Sequence, residues 1–284
     1  MVNACPHCHS NSVQKKGFFR QKLTRKYVQR YWCLSCKTKF SASTLTSCYQ
    51  QKKPFFNRMI FLNLCSGVSL RRTARNLGVS YNLVYSRFLW LSDLAEKKQR
   101  MFLNELASIS ELQLDEMESI EHTKLKPITI ALVVDDQQRM LGVGCGSLPS
   151  KGYLSEISRK KYGPRPNQSE SVIRELLSQL PKNIDPTLIK SDGKASYRTL
   201  VCKKFPKSIH QVCIRKDPKS REQLYLNHEK KRFDPMFALN QRCAKLRADI
   251  NRLIRRSWST TKKIENLERH LKIYLCYNNR IEIC

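Results

Sequence analysis

The spacing of apolar positions changes period along the chain. In SLRRTARNLGVSYNLVYSRFLWL, Leu70, Thr73, Ala74 and Leu77 form a stripe spaced by three and four, as on one face of a helix. Gly78 permits a tight turn, Ser80 is placed to cap a second helix, and that helix would bury Val84, Phe88 and Leu91. An earlier helix over residues 55–65 would add Phe56, Ile60 and Leu64 to a small trihelical core. From Glu111 the period shortens to two. Leu112, Leu114 and Glu116 alternate with Gln113, Asp115 and Met117, which predicts a strand with a buried face. PITIALVV predicts a second strand, DDQQR a turn and MLGVGCGSL a third, together an antiparallel meander. Helical text returns at SESVIRELLSQL. An extended run, TLIKSD, ends at Asp192-Gly193 and is followed by a helix near Ala195 to Lys203, a strand at SIHQVCI and a long helix from Pro235. In that last helix Met236, Leu239, Cys243, Leu246, Ile250 and Leu253 make a core stripe.

Meander, helix, strand, helix, strand, helix is the order of an RNase H-like domain. The fold class expected is therefore α+β and multidomain, since 284 residues hold one sizeable core plus one or two small modules. The expected divisions are a metal-bound ribbon at 1–48, a helix-turn-helix domain at 54–100 and the mixed-sheet domain at 110–284.

Charge adds a partner. Residues 1–100 carry 19 Lys and Arg against 2 Asp and Glu, residues 101–200 carry 13 of each, and residues 201–284 carry 21 against 8. Two basic flanks within a net charge of +30 point to a polyanion, nucleic acid first, because phosphate contacts release counterions. In a helix-turn-helix, Tyr81, Asn82, Tyr85 and Arg87 would face the major groove, while Arg71, Arg72 and Arg75 would reach phosphate. The basic C-terminal text, Arg252, Arg255, Arg256, Lys262 and Lys263, could line a further DNA path, with Trp258 either stacking on a base or packing in the core. The longest apolar run, 128–134, is too short to span a bilayer, and the reading is cytoplasmic and nucleoid-associated, with no membrane partner.

Cysteine spacing adds a metal. Cys5-Pro-His-Cys8 and Cys33-Leu-Ser-Cys36 are paired knuckles whose four thiolates can converge on one tetrahedral Zn²⁺, a structural site with no position open to water. The basic and aromatic text between them, including Phe18, Phe19, Tyr27, Tyr31 and Trp32, suits the strands of a zinc ribbon.

The paired knuckles, LDEMES, IKSDGKASY and FALNQRCAKLRADINRLIRRSW together resemble DDE-type insertion-sequence transposases that join a zinc ribbon and helix-turn-helix to an RNase H-like catalytic domain. The resemblance implies Mg²⁺- or Mn²⁺-dependent strand cleavage and transfer on double-stranded DNA, at terminal inverted repeats and target, by a homo-oligomer. It matches Asp115 and Asp192 to the first two catalytic acids, which hard Mg²⁺ ions require on neighbouring strands. The family's third ligand, usually Glu, is matched by Asn240, with Arg247 as the basic residue seven positions on; at 100° per residue the two lie within about 20° of each other. Asp234 is a competing acid, but Asp234-Pro235 reads as a helix cap that points away from Asn240. Glu116, Glu118 and Glu121 read as strand-edge or supporting charges. Asp135 and Asp136 belong to a hairpin tip, and His210 reads as a core or DNA-facing histidine. The alternative function is a catalytically inactive DNA-binding regulator.

Overall fold

The computed structural model describes residues 4–21, 25–107, 109–214, 234–254 and 258–283. Two compact units divide them, Met1–Asn57 and Arg58–Cys284.

In the first unit, β1 (Val13–Arg20), β2 (Tyr27–Cys33) and β3 (Lys39–Ser41) pair antiparallel in that order. Its core is small. Cys5, Cys33 and Phe40 are buried with Val13, Tyr31 and Cys36 packed on them, and Tyr31 stacks on Phe40 with ring centres 5.5 Å apart. So little apolar burial needs a covalent or metal staple to hold a fold.

The second unit begins with α1 (Asn57–Leu64), α2 (Leu70–Asn76) and α3 (Tyr81–Glu105). Ile60, Leu64, Leu70, Thr73, Ala74, Val84, Phe88 and Leu91 are all buried, as their spacing predicts. Ser69 and Ser80 cap α2 and α3 by accepting from Arg72 N and Leu83 N. Gly78 occupies the turn at φ +62°, where a side chain would be strained. α3 runs on to Glu105, well past the apolar stripe that announces it, and packs along α8 (Ile264–Asn278). Gln99 on α3 also donates to Met140 O at 3.0 Å, so this helix is built into the sheet domain.

β4 (Glu111–Ile120), β5 (Pro127–Asp135) and β6 (Met140–Ser147) form the antiparallel meander; β7 (Leu188–Ser191) and β8 (Ile209–Val212) add parallel to β4. The strand order is β6-β5-β4-β7-β8, which makes β4 the central strand. Both faces of the sheet are covered. On one, Leu112, Leu114, Ala131 and Val133 meet α5 (Ser169–Gln179) and α6 (Ala195–Lys204). On the other lies α7 (Phe237–Asp249), whose predicted stripe from Met236 to Leu253 is buried throughout. This two-sided burial explains why β5 reads as a continuous apolar run rather than an alternation. On β6, Gly142, Gly144 and Gly146 let α5 approach: a Cβ on each would come within 2.5–2.8 Å of Leu176 or Val172.

Two elements differ from the expectation. α4 (Leu154–Tyr162) was not foreseen, because LSEISRKKY exposes most of its length and has no sustained stripe. α7 starts at Phe237 rather than Pro235, with Met236 at its cap position.

Candidate functional site

Parallel pairing of β4 with β7 places Leu114 opposite Ser191, so Asp115 and Asp192 follow at the next step, side by side at the centre of the sheet. Gln113 shares Asp115's face, and it latches α7 there: its Oε1 accepts from Leu239 N at 2.9 Å while its Nε2 donates to Pro235 O at 3.4 Å. Asp115 thus faces α7. Burial pushes its carboxyl up to about 6, with the charges of Asp192 and Glu116 adding, against a 2.6 Å hydrogen bond from Glu116 N and the pull of Lys194. Two carboxylates side by side, with Asp115 raised in part by the charge of Asp192, form a ready cation site.

Glu116 points to the opposite face and is no strand-edge charge, because β4 is central. Its Oε1 accepts from the Thr129 hydroxyl at 2.6 Å; its Oε2 accepts from Ser169 at 2.9 Å, Tyr197 at 3.0 Å and the Lys194 ammonium. Burial alone would raise the Glu116 carboxyl, yet the Lys194, Thr129 and Ser169 hydrogen bonds hold it below the usual range. Lys194 therefore links two faces. Its backbone N–H donates to Asp192 Oδ1 at 3.1 Å while its side chain is anchored on Glu116. Sequence reading missed this network; the signal available was an acid directly after Asp115 and a lysine two residues after Asp192. Glu118 does behave as a surface partner, pairing with Lys151, while Glu121 is largely buried and pairs with Lys126 and Arg165.

Asn240 donates its side-chain amide to Asp234 Oδ2 at 2.8 Å, and Met236 N donates to Asp234 Oδ1 at 3.0 Å. The cap position is Met236, which has no side-chain cap bond, so Asp234 is not the helix cap expected of Asp234-Pro235; it bonds Met236 N in the turn before the helix and points toward Asn240, not away. The later helix start is the reason: three unwound residues let the carboxylate fold back over the turn. Arg247 is half-buried on α7. Between the two, Cys243 senses both Asp115 and Arg247; burial pushes its thiol up to about 11, Arg247 opposing and Asp115 adding. His210 pairs with Ser191 Oγ at 2.8 Å, beside Asp192. Asp135 is buried at the end of β5 and held by Arg139 at 2.5 Å, outside the Asp115 site.

Cys5, Cys8, Cys33 and Cys36 converge with all four Sγ atoms within 4.8 Å of one another, a donor set that fits one tetrahedral metal ion. The Thr38 side chain, with its backbone N–H, lowers the Cys36 thiol to about 6, which favours the thiolate a metal needs.

On the helices, Arg71, Arg72, Arg75, Tyr81 and Asn82 are exposed, and half-buried Tyr85 stacks on Tyr81 with centres 6.0 Å apart. Arg87 is only 9% exposed and faces inward. It lies three residues after Val84 and four before Leu91, on the buried stripe itself. Arg252 is likewise not on an open path, since its guanidinium lies over the Phe88 ring at 5.8 Å. Trp258 is 99% exposed, which excludes core packing. Lys262 and Lys263 are exposed; Arg255 and Arg256 lie outside the described residues. Among the described residues, no helix is long and apolar enough to cross a membrane.

No protein-family model and no curated protein matches the chain. Among solved structures, it is similar to the HTLV-2 integrase catalytic core domain in complex with magnesium, dimeric form. The match has 13% identity, covers 50% of this chain and 86% of that one, and has a TM-score of 0.23, a likeness too loose to bear on the site.

Proposed function

We propose that the chain is a metal-dependent DNA transposase of the insertion-sequence kind, cleaving and joining strands at the element's terminal inverted repeats. The observation that carries this reading is the side-by-side placement of Asp115 and Asp192 on one face of a mixed sheet. The strand order, antiparallel across β6-β5-β4 and parallel across β4-β7-β8, supports an RNase H-like core.

Asp115 and Asp192 would hold Mg²⁺ or Mn²⁺, with the Asn240 carbonyl oxygen as a neutral third donor, since its amide nitrogen is the group engaged by Asp234. Such ions, when bound, supply Lewis acidity to the phosphodiester and lower the pKa of the attacking hydroxyl. The chain's own residues do the positioning. β4 and β7 fix the carboxylates, Lys194 holds Asp192 in place, and Arg247 offers a cation on the α7 flank for DNA phosphate. Exposed Arg71, Arg72 and Arg75 suit the DNA backbone, and Tyr81, Asn82 and Tyr85 suit the major groove, at the start of α3. The four cysteines would hold structural Zn²⁺ in the three-stranded first unit, and cooperation on two DNA ends would require a homo-oligomer.

Asn240 also favours a second reading, a DNA-binding regulator without chemistry, because a neutral ligand weakens the cation site. One experiment decides. A duplex carrying the element's own ends is incubated with the protein and Mg²⁺ or Mn²⁺; nicking that disappears in Asp115→Ala and Asp192→Ala, with end binding retained, supports the transposase. Selective binding of the ends with no nicking by wild type in either metal leaves the regulator.

A further inference from the structure

A cavity of about 650 Å³ opens between the β5–β6 turn, α7 and the C-terminal end of α8. Among the described residues that line it, four are cations, Arg139, Arg242, Lys245 and Arg280, and none is a carboxylate. Arg139 is neutralised by Asp135 at 2.5 Å. Arg242 is not: its guanidinium rests on neutral amide oxygens, Asn278 Oδ1 at 2.6 Å and Gln138 Oε1, and its buried Nε has no partner among the described residues. Asp249, the carboxylate whose field reaches Arg242, accepts instead from the Tyr274 hydroxyl at 2.6 Å. Lys245 and Arg280 are exposed at the mouth, and among the described residues neither pairs with an acid. A partly buried guanidinium with no acid against it, flanked by two exposed cations that pair with no acid among the described residues, is a set that a tetrahedral oxyanion satisfies and a neutral ligand does not.

The cavity is separate from the carboxylate site. At 100° per residue, Arg242 and Lys245 lie about 200° and 140° around α7 from Asn240, on the far flank of the helix. Asp135, beside the turn, pairs with Leu112, which is three residues or about 10 Å along β4 from Asp115.

We propose that this cavity binds a phosphate group, free or carried on a nucleic-acid strand, whatever reaction Asp115 and Asp192 perform. Inorganic phosphate is titrated calorimetrically into the zinc-loaded full chain at low ionic strength. Lys245→Ala with Arg280→Ala removes two exposed cations without touching a buried contact, and is expected to weaken phosphate binding about tenfold. Arg159→Ala with Lys160→Ala on α4 removes the same charge elsewhere and should leave binding within about twofold, as distant screened charges do. In parallel, the Nε–H resonance of Arg242 in the wild-type chain should shift on phosphate addition, a readout that needs no variant. If a DNA duplex produces the same shift and displaces inorganic phosphate, the occupant is a strand phosphate; if it does neither, the occupant is free phosphate. Equal weakening in both charge-removal variants, or an Arg242 resonance unmoved by phosphate, overturns the proposal.

Discussion

Asn240 and Asp234 are joined side chain to side chain at 2.8 Å, so the two residues proposed as alternatives for the third ligand form one hydrogen-bonded unit. Asp234→Ala should then do more than remove a turn hydrogen bond from Met236 N, worth about 1 kcal/mol. It frees the Asn240 amide to rotate, and the Mg²⁺ concentration needed for cleavage should rise. Asn240→Glu alone sets a carboxylate against Asp234 and should help little, whereas Asn240→Glu with Asp234→Asn should cleave faster than either single variant. Cleavage rates over a Mg²⁺ series test this; additive single and double effects would show that the pair is not coupled.

Asp115 links the site to pH. Its folded-state carboxyl is raised to about 6, so its contribution to stability is complete below the unfolded value, roughly 3.9, and is lost as pH rises through about 6. Asp115→Asn should therefore stabilise the metal-free protein at pH 8 by on the order of 2 kcal/mol and have no such effect at pH 4. Adding Mg²⁺ at pH 8 should stabilise wild type and not the variant. Urea unfolding across this pH range is the measurement, and a pH-independent difference would count against a strained carboxylate.

The Lys194 side chain can be removed while its backbone N–H bond to Asp192 stays. Lys194→Met breaks a partly exposed ion pair and leaves buried Glu116 less compensated, with an expected loss of about 1–3 kcal/mol after solvent screening. Because Lys194 also draws the Asp115 carboxyl down, its pKa should move further up in the variant. A carboxyl titration followed by carbon NMR checks the second effect, which a simple loss of packing would not produce.

The ribbon unit should depend on its metal alone. About one equivalent of zinc is expected per chain, and Cys5→Ser with Cys33→Ser should lose both the metal and the β1–β3 signals while Arg58–Cys284 keeps its melting transition. Elemental analysis with heteronuclear NMR checks it; zinc retained by the double variant would place the metal elsewhere.

Arginines on the helices should separate by burial. Arg71→Ala with Arg72→Ala should weaken DNA binding and flatten its salt dependence by about two units, with little change in stability. Arg87→Ala should do the reverse, because Arg87 lies inside the α3 interface. Deleting residues 1–57 should leave a folded protein, but deleting 1–100 removes most of α3, which packs on α8 and bonds Met140, and should give an unfolded one. Circular dichroism and filter binding distinguish these outcomes.

Local patterns determined much of this molecule. The period-two text gave β4 its two faces, the apolar runs gave β5 and β6, the serine caps and Gly78 set the helical turns, and the cysteine spacing made two knuckles, since each depends on neighbours within a few residues; the β1–β2 pairing then brings the two knuckles together. Asp115 and Asp192 were legible for the same reason: one sits in a strand, the other at a strand end. The tertiary structure decided what depends on parallel register and on which face meets which helix. Only the β4–β7 pairing sets the two carboxylates side by side, and only α5 and α6 reveal that Glu116 is an anchor for Lys194. Arg87 carries a surface residue's chemistry, yet its place at the three-and-four spacing of Val84 and Leu91, on a helix that packs against α8 from the other end of the chain, turns it inward.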